Sequence, residues 1–235
     1  MAKKLAARDG REAKVYIAKT PSPGQVTSGA LKKGHWYSID EKDTSATALG
    51  ADTKIGDVIY VDKNGITLGT SDKVTPIEWL FLGEATGKSM SDSKTVADVT
   101  CDKDDSANNV CNGIVSSSGT INGHDLLDPD EASGINYVRQ LFNKMIVYKS
   151  GVPTVVEKDK SSKVLLLFVW DARDVQADEL VAIDILPAFI TEKSRDAQYG
   201  SPQSMNISFT GCDTDDNGRR KSYQQITYVE EEALT

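Results

Sequence analysis

The apolar residues of this chain lie in short segments that either alternate with polar residues or are rich in β-branched types. This pattern is typical of β-strands. In residues 179–191, Val181, Ile183 and Ile185 point to one side of a strand, whereas Ala182 and Asp184 point to the other. We therefore predict a mainly β protein, with strands in KVYIAK (14–19), DVIYVD (57–62), IEWLFLGEA (77–85), TVADVTC (95–101), KVLLLFVW (163–170) and ELVAIDILPAFIT (179–191).

One segment, DPDEASGINYVRQLFNKMIVYKSG (128–151), has the pattern of an amphipathic helix. Asp128 is a candidate N-cap, and Pro129 suits the first helical position. Gly151 followed by Pro153 is a stop signal. Apolar residues recur between them at steps of three and four, namely Ile135, Val138, Leu141, Phe142, Met145 and Ile146. We predict one helix over this segment, packed on a sheet by its apolar stripe.

The turn-rich composition of residues 20–78 sets them apart from the rest of the chain. TPSPGQVTSGALKKGHWYSID (20–40) is followed by short strand signals with glycine at intervals. A structureless loop of this length would be unusual in a compact protein. We therefore divide the chain into an N-terminal arm with the first strand (1–19), a small β insertion or accessory domain (20–78), and a core with a C-terminal arm (79–235).

The sequence GCDTDDNGRRKS, residues 211–222, begins like a calcium-binding loop. Asp213, Asp215 and Asn217 alternate and a glycine follows, as in the first half of an EF-hand loop. However, Gln224 holds the twelfth position, where such a loop needs a bidentate carboxylate. The flanking segments have the composition of strands. We interpret the acidic run as the solvated tip of a β-hairpin, with a calcium site at Asp213, Asp215 and Asn217 as the alternative.

The charge of the chain restricts its partners. A formal net charge of −8 and an isoelectric point near 4.9 argue against a basic face that grips nucleic acid. The first 35 residues nevertheless contain eight Lys or Arg against two acids, whereas residues 84–131 contain ten acids against three Lys. These segments either attract each other between subunits or are two solvated surfaces.

The sequence contains no motif of a familiar catalytic or metal-binding type. His35 and His124 are isolated, and GxSxG, P-loop and HExxH motifs are absent, so we expect no enzymatic activity, metal or cofactor. No signal peptide is visible, and the longest apolar run is too short to cross a membrane as a helix. Cys101 and Cys111 either form a disulfide or remain thiols in a reducing cytoplasm.

From Phe81 onward, several segments follow one another in a distinctive order. A serine-rich stretch with a VADVT strand comes first, and GIVSSSGTINGHDLL, the helix SGINYVRQLFNKMI and KVLLLFVWDA follow. ELVAIDILPAFITEKSRDAQYGSPQSMNISFTGCDTDD comes last. This order, over residues 81–229, resembles that of the tail tube (major tail) proteins of long-tailed bacteriophages. The segment 20–78 departs from the family's pattern.

The resemblance implies a β-sandwich of the tail-tube type with one flanking α-helix, decorated by the small β insertion. Six copies of such proteins form a ring, and the rings stack into a hollow tube bridged by long loops and terminal arms. The implied partners are the protein itself, the tape-measure protein, the tail terminator or initiator and, transiently in the lumen, phage DNA. The implied location is the virion tail, assembled in the host cytoplasm without membrane insertion.

The resemblance also suggests where functional residues lie. An acidic lumen would repel sliding DNA, and we expect Glu179 and Asp184 to face it. We expect ring-to-ring contacts from the N-terminal arm, the loop 98–105 and the C-terminal YVEEEALT. The residues named for the first two are Lys3, Lys4, Arg8, Arg11, Asp98, Asp102, Asp104 and Asp105. The alternatives are a calcium- or carbohydrate-binding β-sandwich module on the virion surface and a related tail terminator or hub component.

Overall fold

The computed structural model describes residues 14–18, 24–43, 48–82, 85–98, 109–124, 134–156, 163–170 and 180–227. Strands dominate these ranges, which confirms the prediction of a mainly β protein. The elements are β1 (Lys14–Ala18), β2 (Trp36–Glu41), β3 (Val58–Tyr60), β4 (Lys73–Ile77), β5 (Trp79–Phe81), β6 (Ala85–Asp98), β7 (Asn109–His124), α1 (Gly134–Phe142), β8 (Met145–Lys149), β9 (Val152–Val156), β10 (Val164–Trp170), β11 (Leu180–Asp196), β12 (Ser204–Gly211) and β13 (Ser222–Thr227).

Eight of these strands form one antiparallel sheet, which is the body of the molecule. Its order is β5-β1-β10-β11-β12-β7-β6, and β13 pairs with β11 beside this path. Strands β10, β11 and β12 are consecutive in the chain, whereas β10 is far in sequence from its neighbour β1 and β12 is far from its neighbour β7. Strands β5 and β6 end the sheet.

Strands β12 and β13 do not pair with each other, so the predicted hairpin is wrong. β11 is 17 residues long. Its second half pairs with β12, where Ala188 lies opposite Gly211, and its first half pairs with β13, where Ile185 lies opposite Ser222. Strand β10 pairs with one edge of β11. Strands β12 and β13 therefore lie end to end along the other edge of β11. The length of β11 explains the error, because β11 is long enough to pair with β12 and β13 at the same time.

Both faces of the central sheet are buried, which explains the unbroken apolar run of β10. Leu166 and Phe168 pack with α1 residues on one face. Leu165 and Leu167 pack on the other face with Trp36 of the insertion. A strand that is covered on both faces requires apolar residues at successive positions rather than at alternate ones. The molecule is thus sandwich-like, with the insertion as one covering layer and the helix on the opposite face.

Residues 24–77, between β1 and β5, contain a second antiparallel sheet of order β3-β2-β4. This sheet has a hydrophobic cluster of its own, formed by Leu31, Tyr37, Ile39, Leu49, Val61, Leu68 and Val74. Trp36 of β2 instead packs toward the main sheet, with its ring centroid 5.0 Å from that of Tyr60 and 6.0 Å from that of Trp79. Because β1 and β5 both belong to the main sheet, the chain leaves that sheet and returns to it around this unit.

Helix α1 ends at Phe142, so the predicted continuation of the helix to Gly151 is wrong. Residues from Met145 onward form β8, which pairs with β9. Ser150 and Gly151 have φ angles of 51° and 80°, the left-handed conformation that a two-residue hairpin turn requires. This turn, together with the β-branched and aromatic composition of β8, outweighs the helical periodicity. The proposed N-cap Asp128 lies outside the described residues.

Candidate assembly surfaces

The acidic run of residues 213–217 forms a tight turn closed by a buried ion pair. One carboxylate oxygen of Asp215 accepts hydrogen bonds from the backbone N–H groups of Asn217 and Arg219, both at 2.9 Å. The other accepts one from Nε of Arg219 at 2.5 Å. Only 4% of Asp215 is exposed, so the expectation of a solvated tip is wrong for this residue. Asp213 and Asn217 are exposed.

The ion pair bears directly on the calcium alternative. The guanidinium group of Arg219 forms an ion pair with the carboxylate of Asp215, which is the central ligand in the calcium hypothesis. Within the described ranges, no group of three or more His, Cys, Asp or Glu side chains is placed to hold a metal ion. The turn is therefore organised by Arg219, a residue that the sequence places four positions after Asp215.

The same turn docks on the insertion. The backbone N–H of Arg220 donates to the carbonyl oxygen of Gly56 at 2.8 Å, and Nε2 of Gln224 donates to that of Val58 at 2.6 Å. A Cβ atom at Gly56 would lie 2.2 Å from the carbonyl oxygen of Gly218, and the φ of Gly56 is +89°. Only glycine permits this approach without strain. The turn thus fastens the insertion to the main sheet.

Asp184, expected to face the lumen, lies on the α1 side of β11. Its carboxylate accepts a hydrogen bond of 2.6 Å from Nε1 of Trp170, and the Trp170 ring stacks on that of Phe168. Burial raises the pKa of Asp184 above its ordinary value, and the hydrogen bond from Trp170 offsets part of this. Its exposure to a lumen stays a prediction. Glu179 lies outside the described residues.

Near Asp184, three residues from distant parts of the chain form a polar cluster. Nζ of Lys221 donates to Asp92 at 2.7 Å and to Ser117 at 2.6 Å, and the Ser117 hydroxyl donates to Asp92 at 2.6 Å. The hydrogen bond from Lys221 is the main cause that lowers the pKa of Asp92. Although a serine and a lysine meet here, the lysine acts as an ammonium donor in an ion pair. The cluster ties the β6–β7 hairpin to the start of β13.

The raised pKa of Asp184 gives a testable pH dependence. A carboxyl group whose pKa is raised on folding stabilises the fold while protonated, and this contribution is lost as the pH rises from 3.8 through the folded pKa. We expect Asp184→Asn to gain stability relative to the wild type as the pH rises from about 3.5 to about 7. Urea unfolding at both pH values measures this gain.

The control for this experiment is Asp196→Asn, because Asp196 lies on the same strand and is exposed. Its stability relative to the wild type should change less between the two pH values. A relative stability of Asp184→Asn that stays constant or falls with pH would contradict the assignment of a desolvated carboxyl.

The two outer strands of the main sheet offer edges to a neighbouring chain. β5 has three residues, whereas β6 has 14 and pairs along its length with β7. Among the described residues, no strand pairs with the other edge of β6. Lys88 and Lys94 lie on this strand, and lysine is a residue that proteins use to limit indiscriminate edge pairing. The β6 edge is the longest surface available for strand pairing in the described structure.

The residues expected at ring-to-ring contacts lie mostly outside the described ranges. Asp98 is the last residue of β6, opposite Asn109 of β7, and its side chain is not described. Those outside are Lys3, Lys4, Arg8, Arg11, Asp102, Asp104 and Asp105, together with YVEEEALT. Cys101 is also outside and the side chain of Cys111 is not described, so their disulfide stays a prediction.

Comparison with known proteins adds no family to this picture. A scan against models of protein families finds no match, and a search of curated proteins finds no significant relative. The helical residues that the structure describes form no span with the length and apolar character needed to cross a membrane.

Proposed function

We propose that this chain is a structural subunit of a phage tail tube, which assembles into hexameric rings that stack around a lumen for DNA. The observation that carries the proposal is the outer edge of β6, a 14-residue strand at the end of the main sheet. A long unpaired edge favours pairing with another chain, and closing a ring of sheets removes such edges.

The burial of the main sheet supports the same proposal. Its central strands are covered by α1 on one face and by the insertion on the other. Association through these faces would require the covering layers to move, whereas association through the edges of the sheet would not. The net charge of −8 suits a subunit whose lumen must let DNA slide without retaining it.

The proposed partners follow from this function. They are other copies of the chain, a tape-measure protein, a tail terminator or initiator, and DNA that contacts the lumen without sequence specificity. We infer no catalytic role, since Ser117 and Lys221, which lie together in the fold, are held in an ion-paired cluster with Asp92. The place of action would be the virion tail.

Negative-stain electron microscopy of the purified chain, over a series of protein and salt concentrations, tests the proposal. We expect hollow tubes with a regular ring repeat. Closed single rings would favour a tail terminator or hub component instead. Particles that stay monomeric throughout the series would count against the proposal, and monomers that calcium stabilises against heat would favour the calcium-binding module.

A further inference from the structure

The side chain of Lys42, in the insertion, ends among three backbone carbonyl groups. Its Nζ donates hydrogen bonds to the carbonyl oxygens of Gly50 at 2.7 Å, Ala51 at 3.0 Å and Thr53 at 2.6 Å. We call these three carbonyl groups the carbonyl cradle. An ammonium group has three N–H donors, so the cradle uses all of them.

The loop that carries the cradle is held in shape by contacts of its own. The hydroxyl of Thr53 donates to the carbonyl oxygens of Leu49 at 2.8 Å and Gly50 at 2.9 Å. Leu49 is buried in the hydrophobic cluster of the insertion. Gly50 has a φ of +89°, a conformation that glycine adopts without strain. The carbonyl groups are therefore directed by loop contacts that do not involve Lys42.

The backbone beside Lys42 is also held in place. Lys42 directly follows β2. The backbone N–H of the next residue, Asp43, donates to the carboxylate of Asp72 at 2.7 Å, and that carboxylate also accepts from the backbone N–H of Gly69 at 2.7 Å. Only 1% of Asp72 is exposed. The ammonium group thus joins two segments that are each ordered by other contacts.

Three carbonyl groups that converge on one point need a positive charge there. Each of them directs the negative end of its dipole toward the same position, and their mutual repulsion is offset only by a cation or by strong hydrogen-bond donors. Asp52, an exposed residue of the same loop, adds a full negative charge nearby. Lys42 supplies the positive charge through a covalent tether.

The distances and the ligand type indicate which class of cation fits the cradle. The oxygens lie 2.6–3.0 Å from the cationic nitrogen. Oxygen ligands lie at about 2.3–2.6 Å from Ca²⁺ and at about 2.0–2.1 Å from Mg²⁺, so the cradle is wider than sites for these ions. Backbone carbonyl oxygens replace the hydration shell of K⁺ in selectivity filters. The cradle therefore matches a monovalent cation with the size of ammonium, such as K⁺.

We propose that the carbonyl cradle is a monovalent-cation site in which the ammonium group of Lys42 takes the place of a bound K⁺ or NH₄⁺. The inference is independent of the proposed function. Because the cation is tethered, the loop keeps its charge partner at every salt concentration. A chain without the ammonium group of Lys42 binds a free cation of the same size at this position.

Lys42→Ala in the full-length chain tests the proposal through the stability of the fold. Unfolding by urea is followed at a constant salt concentration of about 0.5 M, with KCl, NH₄Cl, NaCl or choline chloride as the salt. Urea is the denaturant because guanidinium is itself a cation. In choline chloride, we expect the variant to unfold at a lower urea concentration than the wild type, since the cradle loses its hydrogen-bond donors.

Potassium should restore stability to Lys42→Ala in a saturable way. A ligand that binds only the folded state raises the folding equilibrium constant by a factor of one plus the ratio of its concentration to its Kd. For a Kd of about 50–100 mM, about 0.5 M KCl should raise this constant about 6- to 11-fold over choline chloride. NH₄Cl should act like KCl, whereas NaCl should act more weakly because Na⁺ is smaller.

Two controls separate this effect from general effects of salt. The wild type should show no preference for K⁺ over choline, because Lys42 already fills the cradle. Lys63→Ala removes an exposed lysine of the same insertion and should behave like the wild type in all four salts. If Lys42→Ala does not fold, Lys42→Met replaces it, since methionine keeps most of the aliphatic stem without the charge, and the same order of salts is expected.

The outcomes decide the inference without touching the tube proposal. A saturable gain in KCl that is confined to the Lys42 variant would support the cation site. A variant equally stable in KCl and choline chloride would overturn it, because the cradle would then need no cation. A gain of the same size in Lys63→Ala would also overturn it. Electron microscopy of tubes tests the proposed function separately, so the failure of one proposal is distinguishable from the failure of the other.

Discussion

Replacing Arg219 with alanine should lower the free energy of unfolding by about 3–5 kcal/mol, because it leaves the carboxylate of Asp215 buried without its partner. Asp215 and Arg219 are each 4% exposed, and their side chains are in direct contact. Since this turn also holds the insertion through Gly56, the loss should reach beyond residues 213–219. Urea unfolding followed by circular dichroism measures the change.

Arg220→Ala is the matched control for Arg219→Ala. Arg220 is the next residue in the chain and is exposed, and its hydrogen bond to Gly56 comes from the backbone, which alanine retains. We expect this variant to lie within about 0.5 kcal/mol of the wild type. Equal losses for the two variants would show that the turn does not depend on the buried ion pair.

Trp36→Ala should also cost about 3–5 kcal/mol, through the cavity that it leaves between the insertion and the main sheet. Trp36 is completely buried, and it packs with Tyr60, Trp79 and the β10 and β11 side chains of one face. We expect near-ultraviolet circular dichroism to lose part of its aromatic signal and urea unfolding to shift to a lower midpoint. Loss of this ring should loosen the insertion as a unit.

Two further variants sharpen the Trp36 experiment. Tyr199 is fully exposed in the turn between β11 and β12, so Tyr199→Ala should change stability by no more than about 0.5 kcal/mol. The indole N–H of Trp36 is buried and has no acceptor among the described residues, so Trp36→Phe should cost less than Trp36→Ala. If alanine and phenylalanine proved equally harmless, Trp36 would not join the insertion to the main sheet.

Strand conformation was predictable where the local pattern and the final environment agree. In β12, Met205, Ile207 and Phe209 alternate with polar residues, and the structure buries those three on one face. In β10, an unbroken apolar run indicated a strand but not the reason for the run. The reason is the second covering layer, which includes Trp36 and Val58, both more than 100 positions earlier in the chain than Leu165.

The wrong predictions have physical causes that local patterns do not contain. The helical periodicity continues through Met145 and Ile146, yet the turn at Ser150 and Gly151 makes a hairpin from the same residues. The segments around the acidic run are both strands, yet each pairs with β11 rather than with the other. In the first case the local pattern indicated the wrong conformation after Phe142, and in the second it indicated the right conformation but the wrong partner.

The candidate functional residues show the same limit. The sequence indicated Asp215 as a candidate calcium ligand, whereas its partner in the structure is Arg219, four positions later. The cluster of Asp92, Ser117 and Lys221 joins residues 104 and 129 positions apart, so no local signal could have revealed it. One pocket is likewise lined by Arg139 of α1 and by Arg195 near the end of β11.

By itself, the sequence determined that this protein is mainly β, where most of its strands lie and that it carries a strong negative charge. These properties depend on the alternation, branching and charge of neighbouring residues, which are local. Only the tertiary structure decided which strands pair, which acids are buried and which cations line one pocket. Those properties depend on contacts between residues that are distant in the chain, and side-chain packing selects among the pairings that local patterns leave open.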